Sequence, residues 1–574
     1  MMKIKRMIDT AALRRKADLV LKNGKIVNVF SHEILEGNLA IDNGKFIGIG
    51  NYEGEVEIDL EGKYVAPGLI DAHVHIESSS STPIEFARAV LPRGTTTVVA
   101  DPHEIANVLG LDGIKYMLES SKDLPLKCYF MLPSCVPATP FESSGAVLNA
   151  EELELYINHE RVLGLGELMN YPGVVAADES IVKKVQMAKD SGKFIDGHGP
   201  VIKNEELNAY SIVGIRSDHE CTNAVEMLNQ IRTGMYIAIR EGSACKDLLN
   251  LISGVNAHNE RRTVFCTDDR HPGDIMNIGH IDNNVRLAIK SGVDPITAIR
   301  MATLNSAECY HLTGKGAIAP GYDANFIIVD NLEDFNVLET YVDGMKIEED
   351  WHKTIKIPEE VTALATNTIN VPDITIEDLR IPLKSNLVNV IKLIPDQIVT
   401  EKVERTVTIQ EGFYKRTDDV LHFYVIERHN ATGNIGKGLI EGFGITDGAI
   451  ALTIAHDSHN IGIISTSEEN AVVALEEVKR IGGGAVVVKN GRVIGSTPLN
   501  IAGLMSEDKM EVVSKNLRRM YHLTYEELGV DPSIKTLMTQ SFMALPVIPE
   551  LKLTDLGLFD VLKFKHIKIE VEHE

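Results

Sequence analysis

At 574 residues the chain exceeds one average domain and has room for a barrel-sized unit of about 250 residues plus two smaller ones. Hydrophobic residues make up 44% and charged residues 24%, the composition of a soluble globular protein, and no run reaches the roughly 20 apolar residues of a membrane span. Fifty-seven basic against 82 acidic side chains leave a net charge of −25, which repels phosphodiester backbones, so neither a nucleic-acid polymer nor a membrane is an expected partner.

Residues 1–15 mix Lys and Arg with short apolar runs and lack the apolar stretch of a secretory signal. Cys128, Cys135, Cys221, Cys245, Cys266 and Cys309 are scattered without a Cys-x-x-Cys pair, which suits a reducing cytoplasm better than a disulfide framework or a thiolate zinc site. From 18 to 60, short alternating or β-branched segments are broken by Asn23-Gly24, Asn43-Gly44 and Glu53-Gly54, the punctuation of hairpins. A second β-rich stretch lies at 324–329 and 340–347, with Asp343-Gly344 as a turn. Between them, apolar runs at 97–100, 128–132, 162–165, 194–196 and 263–266 alternate with helical periodicity, which predicts a (β/α)8 barrel. A helix-like run at 295–312 ends at Gly314 and leads back to the β unit through Ala319-Pro320-Gly321. Beyond about 365 a third, strand-rich region begins, with strand-like alternation at 485–488 and a helix-like segment at 508–521. The expected fold class is α/β: a barrel at 67–314 inserted in a discontinuous β domain of 1–66 and 315–364, then a C-terminal α+β domain at 365–574.

The chemistry concentrates at strand ends. His73 and His75 close a short apolar strand and, being two apart, share one face, so both imidazoles can address one ion at the end of the barrel where active sites lie. Such a pair is weak evidence alone. It gains weight because metal-competent residues follow the later apolar runs: Asp101 and His103, Glu167, His198, His219 and Asp268. Histidine and carboxylate suit a hard or borderline divalent ion, and the lack of cysteine argues against a structural zinc site.

Six segments carry a resemblance to the amidohydrolase superfamily, and within it to the adenine deaminases. The first two are Pro67-Gly68-Leu69-Ile70-Asp71-Ala72-His73-Val74-His75-Ile76-Glu77-Ser78 and Ala100-Asp101-Pro102-His103-Glu104-Ile105-Ala106-Asn107. The others are Gly164-Leu165-Gly166-Glu167-Leu168-Met169, Asp196-Gly197-His198-Gly199-Pro200, Ser217-Asp218-His219-Glu220 and Cys266-Thr267-Asp268-Asp269-Arg270. The first identifies only the superfamily; the second and last are more specific. The resemblance implies a split β-sandwich, a distorted barrel and an extra C-terminal domain. It also implies two divalent ions, manganese first with iron or zinc as alternatives, and a homodimer or higher homo-oligomer. His73, His75 and Glu167 would hold one ion, and Glu167, His198 and His219 the other. Glu167 stands where dihydroorotases and hydantoinases place a carbamylated lysine. Asp268 would sit beside the attacking water as ligand and proton carrier. The implied reaction converts adenine to hypoxanthine and ammonia.

Attack on the purine also requires a proton, or a donated hydrogen bond, at a ring nitrogen, for which His103 and Glu104 are the candidates. The alternative is that 101–104 caps the following helix, with Asp101 satisfying its free N–H groups. Asp269, Arg270 and Glu77 are expected at the substrate, with loop structure as the alternative for the first two and a helix N-terminus for Glu77. His456-Asp457-Ser458-His459-Asn460 invites a metal reading but has no defined ligand role, a surface or active-site-covering loop being the alternative. Cytidine-deaminase, His-Glu-x-x-His and phosphate-loop motifs all fail for want of their second halves. Another amidohydrolase acting on a different cyclic amidine or amide, and an inactive barrel scaffold, are the rivals.

Overall fold

The computed structural model describes residues 2–395 and 397–572. Strands before and after the barrel form one eight-stranded sheet, in which Phe326–Val329 pairs antiparallel with Tyr64–Pro67. The strand leading into the barrel and the strand leading out are thus hydrogen-bonded neighbours. The sheet rolls until Phe46 exchanges backbone hydrogen bonds with Gly321 and Tyr322, enclosing a core of Leu21, Ile41, Phe46, Val65, Phe326 and Tyr341. The layers of the expected sandwich are therefore parts of one sheet.

Of the three dipeptides read as hairpins, Asn43-Gly44 alone joins adjacent antiparallel strands, Glu33–Asp42 and Lys45–Gly50. Asn23-Gly24 lies inside the continuous strand Ala17–Asn28, at a break in register with its neighbour. Asn23 has φ 55, and the left-handed geometry that suits a tight turn serves a bulge equally well. Glu53-Gly54 leads into Gly54–Asp59, which pairs parallel with Ala17–Asn28.

The barrel has eight parallel strands: β1 (Leu69–Val74), β2 (Thr95–Ala100), β3 (Lys127–Leu132), β4 (Val162–Leu168), β5 (Phe194–Gly197), β6 (Ser217–Asp218), β7 (Tyr236–Arg240) and β8 (Thr263–Cys266). Continuous ladders join β1 to β5 and β6 to β8. A bridge between Val74 and Asp268 closes β8 onto β1, and Arg216 N–H donates to Ile195 O between β5 and β6. These two sparse seams are the distortion. Ile70, Ala72, Val99, Met131, Ala238, Val264 and Cys266 fill the interior, so the barrel is a packed core whose polar groups are confined to its mouth. The helix-like run 295–312 forms two helices, Pro295–Met301 and Leu304–Cys309, broken at Thr303.

In the C-terminal domain an eight-stranded sheet carries Glu468–Ile481 on one face and Met510–Glu526 on the other. Within Gly484–Lys489, Ala485 and Val487 enter one core while Val486 and Val488 enter the other, so this alternation marks a strand buried on both sides. Ile501, Ala502, Met505 and Met510 join the apolar cluster of Ile76 and Phe86, fusing this domain to the barrel. No helix among the described residues is long and apolar enough to cross a membrane.

Strands β4 and β5 approach so closely that a Cβ at Gly164 would lie 1.9 Å from the Phe194 carbonyl oxygen. Gly164→Ala must push backbone against backbone, and we expect a loss of about 1–3 kcal/mol in denaturant unfolding, the usual range for overpacking.

Candidate metal centre and active site

Asp71 sets the register from which the site is built. Its buried carboxylate accepts the backbone N–H of His73 (3.3 Å) and of Thr267 (3.1 Å), tying the ends of β1 and β8 together. Burial pushes its pKa up to about 7. This registration brings Asp268 beside the two histidines of β1.

The hydrogen bonds on the outer nitrogens settle both tautomers. His73 Nδ1 lies 3.1 Å from Asp196 Oδ2, and His75 Nδ1 lies 2.9 Å from the Asp101 carbonyl oxygen, an acceptor with no proton to give. Each Nδ1 therefore carries the hydrogen, leaving each Nε2 a lone pair. Those two Nε2 atoms face each other at 3.2 Å, with Asp268 Oδ1 3.0 Å from that of His75. Three acceptors converging in a buried space repel one another unless a cation lies between them, so the donor set fits a metal ion.

Glu167 occupies the centre. Its Oε1 lies 3.0 Å from His103 Nδ1 and 3.5 Å from His75 Nε2; its Oε2 lies 2.8 Å from His198 Nδ1 and 3.2 Å from His219 Nε2. One carboxylate thus addresses two imidazoles through each oxygen, the disposition of a bridging ligand. Burial alone would raise its pKa, but the surrounding imidazoles hold it well below the usual carboxylate range. His73, His75, Glu167, His198, His219 and Asp268 all fall within groupings of ligand atoms close enough to share an ion. His103, expected at the ring, and Glu220, to which no role had been given, also enter such groupings.

Of the adjacent carboxylates, Asp268 turns to the imidazoles, and its Oδ2 accepts a hydrogen bond from Arg240 Nη1 at 3.1 Å. Its backbone has φ 55, uncommon for a residue other than glycine and costly enough to mark a functional position. Burial opposes its ionisation, and the Arg240 guanidinium beside it favours the charged form. Asp269 accepts instead from the Ser78 hydroxyl. Arg270 is buried, and its guanidinium holds the surrounding loops by donating to the carbonyls of Gly279, Glu241 and Gly242, while Nη2 has no protein partner among the described residues.

Asp101 is not a helix cap. The helix His103–Leu109 starts after Pro102 without a side-chain cap, whereas Asp101 Oδ2 accepts the backbone N–H of Glu167 at 3.0 Å. The carboxylate after β2 thus holds the backbone of the glutamate on β4, two strands away. Glu104 points away from its own helix: Oε1 lies 2.6 Å from His456 Nδ1, and Oε2 is hydrogen-bonded to His459 Nε2, both from the C-terminal domain. Burial would favour the neutral acid, but His456, His459 and His103 hold Glu104 ionised, well below its ordinary pKa.

A cavity of about 560 Å³ lies between the barrel mouth and the C-terminal domain, lined among others by Glu77, Glu104, Ser243, Leu452, His456 and Tyr521. Glu77 sits in the 3-10 turn Ile76–Ser79, accepts the Ile105 N–H at 3.2 Å through Oε1, and has no protein partner for Oε2 among the described residues. Burial pushes its pKa up to about 7.

Residues 64–347 match the amidohydrolase family, and residues 397–565 match the adenine deaminase C-terminal domain. The chain is 50% identical to an adenine deaminase of Clostridium acetobutylicum over 569 residues, covering 98% of this chain and 100% of that protein. It is 48% identical over 571 residues to an adenine deaminase of Geobacillus kaustophilus, covering 98% of each, and 44% identical over 571 residues to that of Bacillus subtilis, again covering 98% of each.

Asp196→Ala would free the His73 ring to choose the wrong tautomer. Metal affinity is expected to fall about 10–100-fold, the usual effect of losing a partner behind a ligand, and titration of metal into apoprotein reads it directly.

Proposed function

As a member of the adenine deaminase family within the amidohydrolases, the chain hydrolytically deaminates adenine, and for that reaction we propose a binuclear centre at the barrel mouth. His73, His75 and Glu167 would hold one ion, Glu167, His198 and His219 the other, and Asp268 would stand beside the attacking water. The observation that carries this reading is the buried convergence of lone pairs from His73 and His75 on Asp268 and Glu167. Manganese is the proposed metal, and the same ligands accept iron or zinc. Divalent ions bound by these residues would lower the pKa of a bound water toward neutrality.

The chain's own residues do the rest. Asp268, ionised and oriented by Arg240, takes a proton from the attacking water and carries it to the departing amine. We place adenine in the interdomain cavity, whose lining residue Ser78 donates to Asp269, the neighbour of Asp268. Glu77, through its free Oε2, and Asp269, through Ser78, are proposed to position the ring, while Arg270 supports the loop beneath. His103 and Glu104 are proposed to serve the ring nitrogen. Glu104 accepts two imidazole N–H groups and lies ionised, so its part is to hold a proton donor rather than to be one. We further propose that the protein works as a homodimer or higher homo-oligomer in the cytoplasm, in the units 1–66 with 315–364, 67–314 and 365–574.

Protein purified with manganese should release ammonia from adenine. His73→Ala should abolish turnover, and Asp268→Asn should lower kcat by about 10²–10⁴ with metal retained. A metal-loaded wild-type protein inert toward adenine would overturn the reading.

A further inference from the structure

The cavity wall contributed by the C-terminal domain carries two imidazoles, His456 and His459, for which the reaction scheme above has no use. His456 lines the cavity, and its Nδ1 is 2.6 Å from Glu104 Oε1. The ring is also stacked on Phe542 at 4.5 Å and 21°, and its backbone N–H donates to the Ser541 carbonyl at 2.9 Å. With Nδ1 committed to Glu104, the remaining nitrogen, Nε2, is the one left to meet a ligand in the cavity.

Glu104 is held in turn. His459 Nδ1 accepts the Ala455 backbone N–H at 3.2 Å, so its hydrogen sits on Nε2 and is donated to Glu104 Oε2. That assignment also argues against reading Glu104, His456 and His459 as a third metal site, because a metal on His459 Nε2 would leave Nδ1–H facing the Ala455 N–H. A donor fixed by a carboxylate, which is itself fixed by a third group, is the logic of an oriented acid–base residue.

We propose that His456, rather than His103, is the residue that protonates purine N1 in adenine deamination, acting as an imidazolium whose Nδ1–H is held by Glu104 and whose Nε2–H is given to the ring, with Glu104 and His459 as its positioning residues. The proposal rests on adenine binding between the barrel mouth and the C-terminal domain. As the water oxygen bonds to C6, the electron pair of the C6–N1 double bond moves to N1, the His456 Nε2–H bond breaks and N1–H forms. That hydrogen stays on N1 of hypoxanthine. The C6–N6 bond then breaks, and ammonia leaves with the proton delivered by Asp268. The hydroxyl proton released as the C6 carbonyl forms restores the imidazolium through solvent.

The isosteric amides separate the two ring nitrogens. His456→Asn places an N–H where Nδ1 was, preserving the bond to Glu104, but has nothing at Nε2. It should lose about 10²-fold or more in kcat, like His456→Ala, with metal content unchanged. For His459 the order reverses: Gln, whose amide reaches the Nε2 position, should retain most activity, whereas Asn should lose about 10²-fold, the usual effect of a mispositioned group. A second readout needs no turnover. Wild-type enzyme should be inhibited about 10-fold more tightly by purine than by 1-deazapurine, the loss associated with one hydrogen bond, and His456→Asn should not discriminate between them. If His456→Asn keeps wild-type kcat, or keeps the preference for purine, the assignment is overturned. Loss of activity in His73→Ala and Asp268→Asn while His456→Asn remains active defeats only this inference. Retention of activity in those two variants defeats the underlying active-site reading instead.

Discussion

A single carboxylate, that of Glu167, is the constraint on which the site depends. Four imidazoles reach it: His75 and His103 at one oxygen, His198 and His219 at the other. They follow β1, β2, β5 and β6, so one side chain demands that the barrel bring four strand ends to within hydrogen-bond range of a point. The local sequence makes room for it. A Cβ at Gly166 would lie 2.0 Å from Asp101 Oδ2, the atom that accepts the Glu167 N–H. Gly164, two residues earlier on the same face, allows β5 to close in. Alternate glycines before Glu167 are therefore the means by which a bulky, charged side chain is held at the centre of a tightly packed mouth.

The centre is poor in protons by construction. The Asp101 carbonyl and the Asp196 carboxylate take the outer N–H groups of His75 and His73, which forces lone pairs inward. The Asp268 and Glu167 carboxylates add acceptors at the same place, and removing such groups from water without a compensating charge costs several kcal/mol each. A divalent ion held between these groups would supply the counter-charge that the arrangement calls for. The left-handed backbone at Asp268 belongs to the same economy: β8 closes onto β1 through the Val74–Asp268 bridge at that residue, and Asp71 holds the two strands in register from below. Closing the barrel and aiming the carboxylate are one geometric event.

The cluster at the barrel mouth was legible in sequence because side chains that gather there sit where an apolar run ends, and His73, His75, Glu167, His198, His219 and Asp268 each end or closely follow one. What could not be read was direction. Asp101 occupies a good capping position, yet it faces β4, since Glu167 needs its backbone held more than a helix with Pro102 at its start needs a cap. Arg270 adjoins the acidic pair but runs back into the loop, where three backbone carbonyls accept from it. Glu104 and His456 are 352 residues apart, a contact no local pattern carries. Asn23-Gly24 encodes positive φ, and whether that becomes a turn or a bulge is decided by the neighbouring strand.

That long-range contact explains why the C-terminal domain is fused to the barrel by a shared apolar cluster rather than tethered beside it. A proton donor acting on a small flat ring must be placed to within a fraction of an ångström, and a swinging domain cannot do that. The turn carrying His456 and His459 is fixed from behind by Arg428, which is fully buried and donates to the carbonyls of His459, Thr368 and Ala502. Thr368 lies on the connection from the barrel, and Ala502 on the loop whose N–H donates to the Ala365 carbonyl. One guanidinium thus binds the catalytic turn, the interdomain connection and the docking loop together. Glu104, reaching across from the barrel to both imidazoles, completes the link, so the two halves of the cavity are held in register by buried charge as well as by apolar packing.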